Sequence, residues 1–256
     1  MISLSTIDEF YRRVYDRLCG VHPRLRCWHF QWLAVKDIYR DLRRVLPGIR
    51  GRVLDVGCGD KPYLSWMRNV DPSQVVGADV VPGPDVDVVV DAGSSWGFAD
   101  GSFDAVLCTQ VLEHVRNPVG MLMEIHRVLA PDGKFYATLP FLYGEHGAPQ
   151  DYRRWSLHGV MLLLEERFEI LELSRQGGIG STTGLLFLGW LDATASRSRL
   201  LRLVRPIFLP VRMVLSLTVN VAGWLWDRMD RTGVFYSNVL VVARKRSGPC
   251  GSRKLE

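Results

Sequence analysis

Residues 54–60, Leu-Asp-Val-Gly-Cys-Gly-Asp, set an acid and two glycines at the end of a short apolar run. Glycine in such a turn lets the backbone come close to a ligand and leaves N–H groups near a helix start to meet it. Two further acids close apolar runs: Asp79 after Val75-Val76-Gly77-Ala78, and Asp91, followed by Ala92, after Val88-Val89-Val90. A carboxylate is an acceptor only, so Asp79 can take a pair of sugar hydroxyls and Asp91 an exocyclic amine. A second chemistry-bearing stretch, 140–156, crowds Glu145, His146, Asp151, Tyr152, Arg153, Arg154 and Trp155 into one segment. A histidine beside an acid can move a proton, and polar loops at the ligand end of a sheet carry substrate contacts.

The elements that must hold these residues follow from the apolar spacing. Strands are predicted over 52–56, 74–80, 86–91, 102–110, 134–140, 168–173 and 235–245. Helices are predicted over 5–18, 28–46, 62–70 (with Pro62 at its first position), 117–130 and 156–167, with a turn at Pro131-Asp132-Gly133. Alternating strands and helices, with strands that are nearly continuous in apolar residues, predict an α/β fold with a mostly parallel sheet covered by helices on both faces. Ligands of such sheets bind at the carboxyl ends of the strands, where Gly57, Cys58, Gly59 and Asp79 lie. A dinucleotide site would place a third glycine where this chain has Pro62, which disfavours a nicotinamide oxidoreductase.

The chain is 256 residues long and carries a formal net charge of +5. Its five cysteines (19, 27, 58, 108 and 250) form no metal-ligand spacing, so a reduced, cytoplasmic protein without a metal site is expected. Acids at Asp8 and Glu9 stand where a signal peptide would be apolar. Charge is uneven: 1–50 hold 10 Lys/Arg against 5 acids, 51–190 hold 10 against 18, and 191–256 hold 12 against 4. Basic ends around an acidic middle fit an anionic partner at the ends, or ordinary solvated helix faces.

The order VLDVGCGDKPYL, GAD, then VDAGSSWGFADGSFDAVLCTQVLEHVRNPVGMLMEIHRVLAPDGKFYATLP resembles the class I S-adenosylmethionine-dependent methyltransferases over residues 50–173, in the group with a D-x-G-C-G first motif and a later VLEH. The resemblance implies a Rossmann-like, seven-stranded, mostly parallel sheet and S-adenosylmethionine as cofactor. It implies that Asp55, Gly57 and Gly59, with Cys58 between them, line the methionine and ribose part. Asp79, with Val80 beside it, would bind the ribose hydroxyls, Asp91 and Ala92 the adenine, and Gln110 the methionyl and sulfonium region. Asp132 departs from the glycine usual in that turn, which is remote from the cofactor.

For the reaction, His146 is the expected base, Asp151 its orienting acid, and Arg153 or Arg154 the holder of an anionic substrate, with Tyr152 and His114 nearby as substrate contacts; the alternative is a salt-bridged lid without chemistry. The acceptor is expected to be a small or lipid-linked molecule methylated at oxygen. The competing class is a non-catalytic cofactor-binding protein whose insertion serves interaction. The resemblance divides the chain into an N-terminal helical cap (1–50), the core (51–173 and 234–246), a helical insertion before the last strand (174–233) and a flexible tail (247–256). The insertion's most apolar piece, 213–226, spans 14 residues and contains Asn220, short of the about 20 that a membrane span needs. It is therefore expected to be an extra helical layer or dimer contact, or to lie at a membrane surface; nucleic acid is disfavoured by its apolar character.

Overall fold

The structure is a computed structural model, and it describes residues 4–91 and 95–247. The chain divides into two compact units. One gathers 1–39, 142–144 and 177–237; the other gathers 40–141, 145–176 and 238–256.

The second unit is the α/β unit. Its strands are β1 (Val53–Val56), β2 (Val75–Asp79), β3 (Val88–Val89), β4 (Phe103–Thr109), β5 (Leu129–Pro140), β6 (Phe168–Gln176) and β7 (Asn238–Lys245). They form one seven-stranded sheet in the order β3-β2-β1-β4-β5-β7-β6. β1, β2, β3, β4 and β5 pair in parallel, and β7 runs antiparallel between β5 and β6. The predicted mostly parallel sheet is therefore present, with one reversed strand. Every residue of β1 is buried, which is why Val53-Leu54-Asp55-Val56 reads as a continuous rather than an alternating run. Helix α3 (Pro118–Val128) opens on Asn117, whose side chain accepts from the Gly120 N–H, and α4 (Leu157–Leu164) opens on Ser156 in the same way toward Gly159.

Three local expectations change. Residues 62–70 form turns and one short 3-10 segment, Leu64–Trp66, instead of a helix. The segment is bounded by Lys61, which takes φ 46, and by Asp71, which caps a new 3-10 turn at Pro72. The Pro131–Gly133 turn is absorbed into β5 as a bulge: Phe103 pairs with Leu129 but Ala105 with Lys134, and Asp132 sits at φ 61. β3 is only two residues long, at the sheet edge.

The other unit is helical: α1 (Leu4–Cys19), α5 (Ile179–Arg197), α6 (Arg199–Val204) and α7 (Leu209–Met229), joined by the start of α2 (Trp32–Val45). α2 begins at Trp32 instead of residue 28, because the Cys27 and His29 carbonyls both accept from the Asn220 side chain and are held out of a helix. The 14-residue apolar piece is part of a longer helix. α7 has 21 residues and is apolar and long enough to cross a membrane by length and composition, with 22% of its most apolar window buried. α5 and α7 meet through glycines: a Cβ on Gly180 would lie 2.1 Å from the Gly223 carbonyl oxygen. Asp227 accepts from the Ser181 N–H at 2.8 Å and from its hydroxyl, and faces Lys36 at 3.5 Å. Gly180→Val should destabilise the protein by about 2 kcal/mol through this overpacking, read as a lowered midpoint in denaturant unfolding, whereas Gly189→Ala, which has open space, should not.

Candidate functional site

The site is built on the turn after β1. Gly57 adopts φ 67, and a Cβ there would meet the Val111 methyl at 2.4 Å, so glycine is required by both conformation and space. The Gly57 and Cys58 N–H groups both donate to the Ala78 carbonyl, at 2.8 and 3.2 Å. Gly59 has φ 50 and nothing within 4 Å of where a Cβ would stand. Its N–H donates to Asp79 Oδ2 at 3.0 Å, while Asp79 Oδ1 accepts from the Val81 N–H at 3.0 Å. The acid that ends β2 is thus aimed back at the first turn by two backbone bonds.

Beside this turn lies a cavity of about 240 Å³. Of the sequence-predicted residues, Gly57, Asp79, Val80, Gln110 and His114 line it. Gln110 holds φ 56; its N–H donates to the Thr138 carbonyl and its side-chain amide to the Thr138 hydroxyl, which fixes the end of β4 against β5. Sequence reasoning missed the apolar walls: Val90, Trp96, Val111 and Met121. Met121 lies on the apolar stripe of α3 and reads as core; only the fold shows that it faces space.

Other predicted residues stand elsewhere. Asp55 is buried beneath the turn, and burial pushes its carboxyl up to about 7 against the pull of Lys61. The Cys58 thiol turns into the fold toward the Asp85 carbonyl, and burial raises it to about 12, so its side chain does not face the cavity. Asp91 is exposed, outside the cavity lining, and Ala92 lies outside the described residues.

The 140–156 loop adds an imidazole pair. His146 and His114 meet edge to face, with ring centroids 4.9 Å apart. His114 Nδ1 is 2.5 Å from the Gln150 carbonyl, which can only accept, so Nδ1 carries a proton and Nε2 is turned toward Glu113, 3.8 Å away. His146 Nδ1 lies 3.6 Å from Asp151 Oδ2, and its backbone N–H donates to the same oxygen at 2.8 Å. Arg154 grips Asp151 with its two terminal guanidinium nitrogens, at 2.5 and 2.7 Å, and this holds the Asp151 carboxyl well below the usual range. Arg153 donates to the Val115 and Arg116 carbonyls. Both arginines expected to hold an anionic substrate are therefore engaged by the chain itself. Tyr152 is exposed, with the Arg116 guanidinium 5.6 Å from its ring centre.

Glu113 was present in the VLEH motif but drew no role. It is fully buried, and neither carboxylate oxygen has a hydrogen bond of normal geometry. Burial raises its carboxyl to about 7. Glu113, His114 and His146 bring one ligating atom each to within 4.8 Å of one another.

Residues 54–137 match the profile described as a methyltransferase domain. That stretch, which lies within the α/β unit, is similar to methyltransferase domains. Among the curated relatives, the ubiquinone biosynthesis O-methyltransferase of Xanthomonas oryzae pv. oryzae is 36% identical over 101 residues, 34% of this chain and 42% of that protein. The protein of that name from Xanthomonas campestris pv. campestris is 32% identical over 114 residues, 39% of this chain and 46% of that protein. The matched stretch thus spans less than half of either relative. Two solved structures share the fold: SpnF, a 4+2 cyclase, at TM-score 0.53 and 23% identity over 83% of this chain and 81% of that one, and a protein of Pyrococcus horikoshii at TM-score 0.51 and 15% identity over 93% and 99%. One of them is a cyclase by name, so the fold by itself does not settle a reaction.

S-adenosylmethionine is the cofactor that the sequence resemblance implies. The residues present fit it: the space beside Gly59 is open, an acceptor-only carboxylate stands at the cavity rim, and apolar side chains wall the rest. The buried acids below the site make stability fall as pH rises. Their folded values are raised, so folding is favoured while they hold protons and loses that support as pH climbs from about 4 to about 7. Glu113→Gln should remove part of this loss, raising the melting temperature at pH 8 by about 5 °C while changing it little at pH 4.

Proposed function

We propose that the protein is an S-adenosylmethionine-dependent methyltransferase that methylates an oxygen of a small or lipid-linked acceptor. The observation that carries this reading is the His146–His114 pair, of which His114 lines a cavity that Asp79 and Gly57 also line. The name O-methyltransferase borne by the curated relatives supports oxygen as the acceptor atom.

When bound, S-adenosylmethionine supplies an electrophilic methyl on a sulfonium. Asp79 takes the two ribose hydroxyls, having been aimed by Gly59 and Val81. Gly57 and Gly59 let the backbone come close, and Gln110 faces the methionyl side. His146 removes the acceptor's hydroxyl proton. Asp151, ionised and held by Arg154, stands beside Nδ1 and stabilises the imidazolium that results. His114 packs against the His146 ring and fixes its plane. Because a neutral leaving group departs, alignment does much of the remaining work.

The unpartnered Glu113 favours a second reading of the same cluster, in which Glu113, His114 and His146 hold a divalent cation that lowers the acceptor's hydroxyl pKa. Dialysis against a chelator separates the two: turnover survives under the base reading and is lost, then restored by added cation, under the other.

Asp79→Ala should weaken S-adenosylhomocysteine binding by about ten- to a hundredfold in calorimetry, with Asp79→Asn intermediate. His146→Ala should leave that binding unchanged and lower kcat by about a hundredfold or more, with the acid limb of the pH profile removed. Wild-type turnover in His146→Ala would discard the base, and unaltered binding in Asp79→Ala would discard the cofactor site.

A further inference from the structure

α7 packs inside out. Its buried positions are Leu209, Ser216, Asn220 and Gly223, three of the four small or polar. Val211, Val214 and Leu225 face outward, Val214 at 65% exposure. A helix on the surface of a water-soluble domain does the reverse. α5 repeats the pattern: Gly180, Ser181, Thr182 and Gly184 are buried along with Leu185 and Leu188, while Phe187 and Trp190, the latter 62% exposed, stand outside. Small and polar side chains at the helix contact, with large apolar ones outside, is how helices pack when lipid covers them.

An independent feature of the same helical unit names the kind of surface. A cavity of about 400 Å³ is lined by Arg12, Arg202, Arg205 and Arg212 against only Asp8 and Asp192. Arg202 pairs with Asp8, while Arg205 and Arg212 share Asp192 at 3.1 and 2.6 Å, so cationic charge is left over. Arg205 Nε is buried there without a hydrogen bond. The helices that carry these cations also carry exposed apolar side chains, Leu200 and Leu203 on α6 beside Arg202 in the chain, and Val211 and Val214 on α7 with Arg212. Guanidinium groups in excess, with a donor unused, match a phosphate.

We propose that the helical unit docks peripherally on an anionic phospholipid bilayer: the outward side chains of α5 and α7 enter the interface, and the arginine cavity takes a lipid phosphate. This stands apart from the methyl-transfer reading. α7 would be about 31 Å long, enough to cross a bilayer. However, Asn220 at its middle donates to the Cys27 and His29 carbonyls, so one side of the helix is tied to the unit, and it lies on the membrane. A twofold-related second copy on the same face would bring like arginine clusters together, which an isologous contact disfavours.

The test is co-sedimentation of the full chain with large unilamellar vesicles of phosphatidylglycerol and phosphatidylcholine, against phosphatidylcholine alone, with sedimentation velocity run without vesicles. Binding should favour the anionic vesicles by about tenfold or more and weaken in about 0.5 M salt. Phe187→Ser with Val214→Ser, both at exposed positions, should lower binding by about tenfold with the circular dichroism spectrum unchanged. Arg12→Gln with Arg202→Gln should lose about fivefold per arginine on anionic vesicles only. Failure to pellet above the vesicle-free control, or equal binding to both vesicle types, overturns the proposal. So does a wild-type dimer that the Phe187→Ser/Val214→Ser variant converts to monomer, since a second copy would then cover the face.

Discussion

The α/β unit depends on one left-handed residue. Gly57 turns the chain at φ 67 as it leaves β1, and Val111 fills the volume that any side chain there would need. That turn lets two successive N–H groups reach the Ala78 carbonyl and brings the Gly59 N–H to Asp79. The first turn and the end of the second strand are therefore one hydrogen-bonded piece. Its position is set by the parallel register that pairs Val56 with Ala78 on one side and with Cys108 on the other. Backbone bonds, rather than side-chain packing, aim the carboxylate, so its direction is fixed before any ligand arrives.

Much of this was legible because the relevant residues are local and their types are constrained. Glycine at 57 and 59, acid at 79 and asparagine-proline at 117–118 each announce a backbone requirement that holds whatever surrounds it. The strands were legible for the same reason: a buried parallel strand is apolar throughout. What was not legible depends on contacts distant in sequence. The Cys58 thiol could point either way until Gly77 and Asp85 came beside it. Arg153 reads as a free cation because its partners, the Val115 and Arg116 carbonyls, lie far back in the chain; the local pair Arg154–Asp151 was instead within reach of the sequence. Residues 62–70 had helical spacing, with Tyr63 and Met67 both buried, yet the same two burials are met by turns around the 3-10 segment Leu64–Trp66.

The α/β unit also tolerates groups that water would hold more comfortably. Asp55, Cys108 and Glu113 are all buried beneath or beside the strand ends, and each is pushed toward its neutral form. Burial is the main cause for each, and at Cys108 the charges of Glu113 and Asp55 add to it. Such groups persist where the surrounding sheet over-determines the backbone, and they cluster here at the carboxyl ends of β1 and β4. Elsewhere in the sheet most buried positions are aliphatic or aromatic, as with Val239, Val241 and Phe135, and the buried polar residues Thr138, Gln176 and Asn238 are uncharged.

The reversed strand has a consequence for how the chain is made. β6 pairs with β7 alone, and β7 is the last of the seven strands in chain order. Through the synthesis of residues 177–237, β5 and β6 wait with open edges on either side of a missing strand. Over that interval the nascent protein carries two unpaired β edges together with the apolar helices α5 and α7, a combination that invites capture by a chaperone or by another nascent chain. Completion of the sheet thus waits on the emergence of β7, however fast the earlier strands fold.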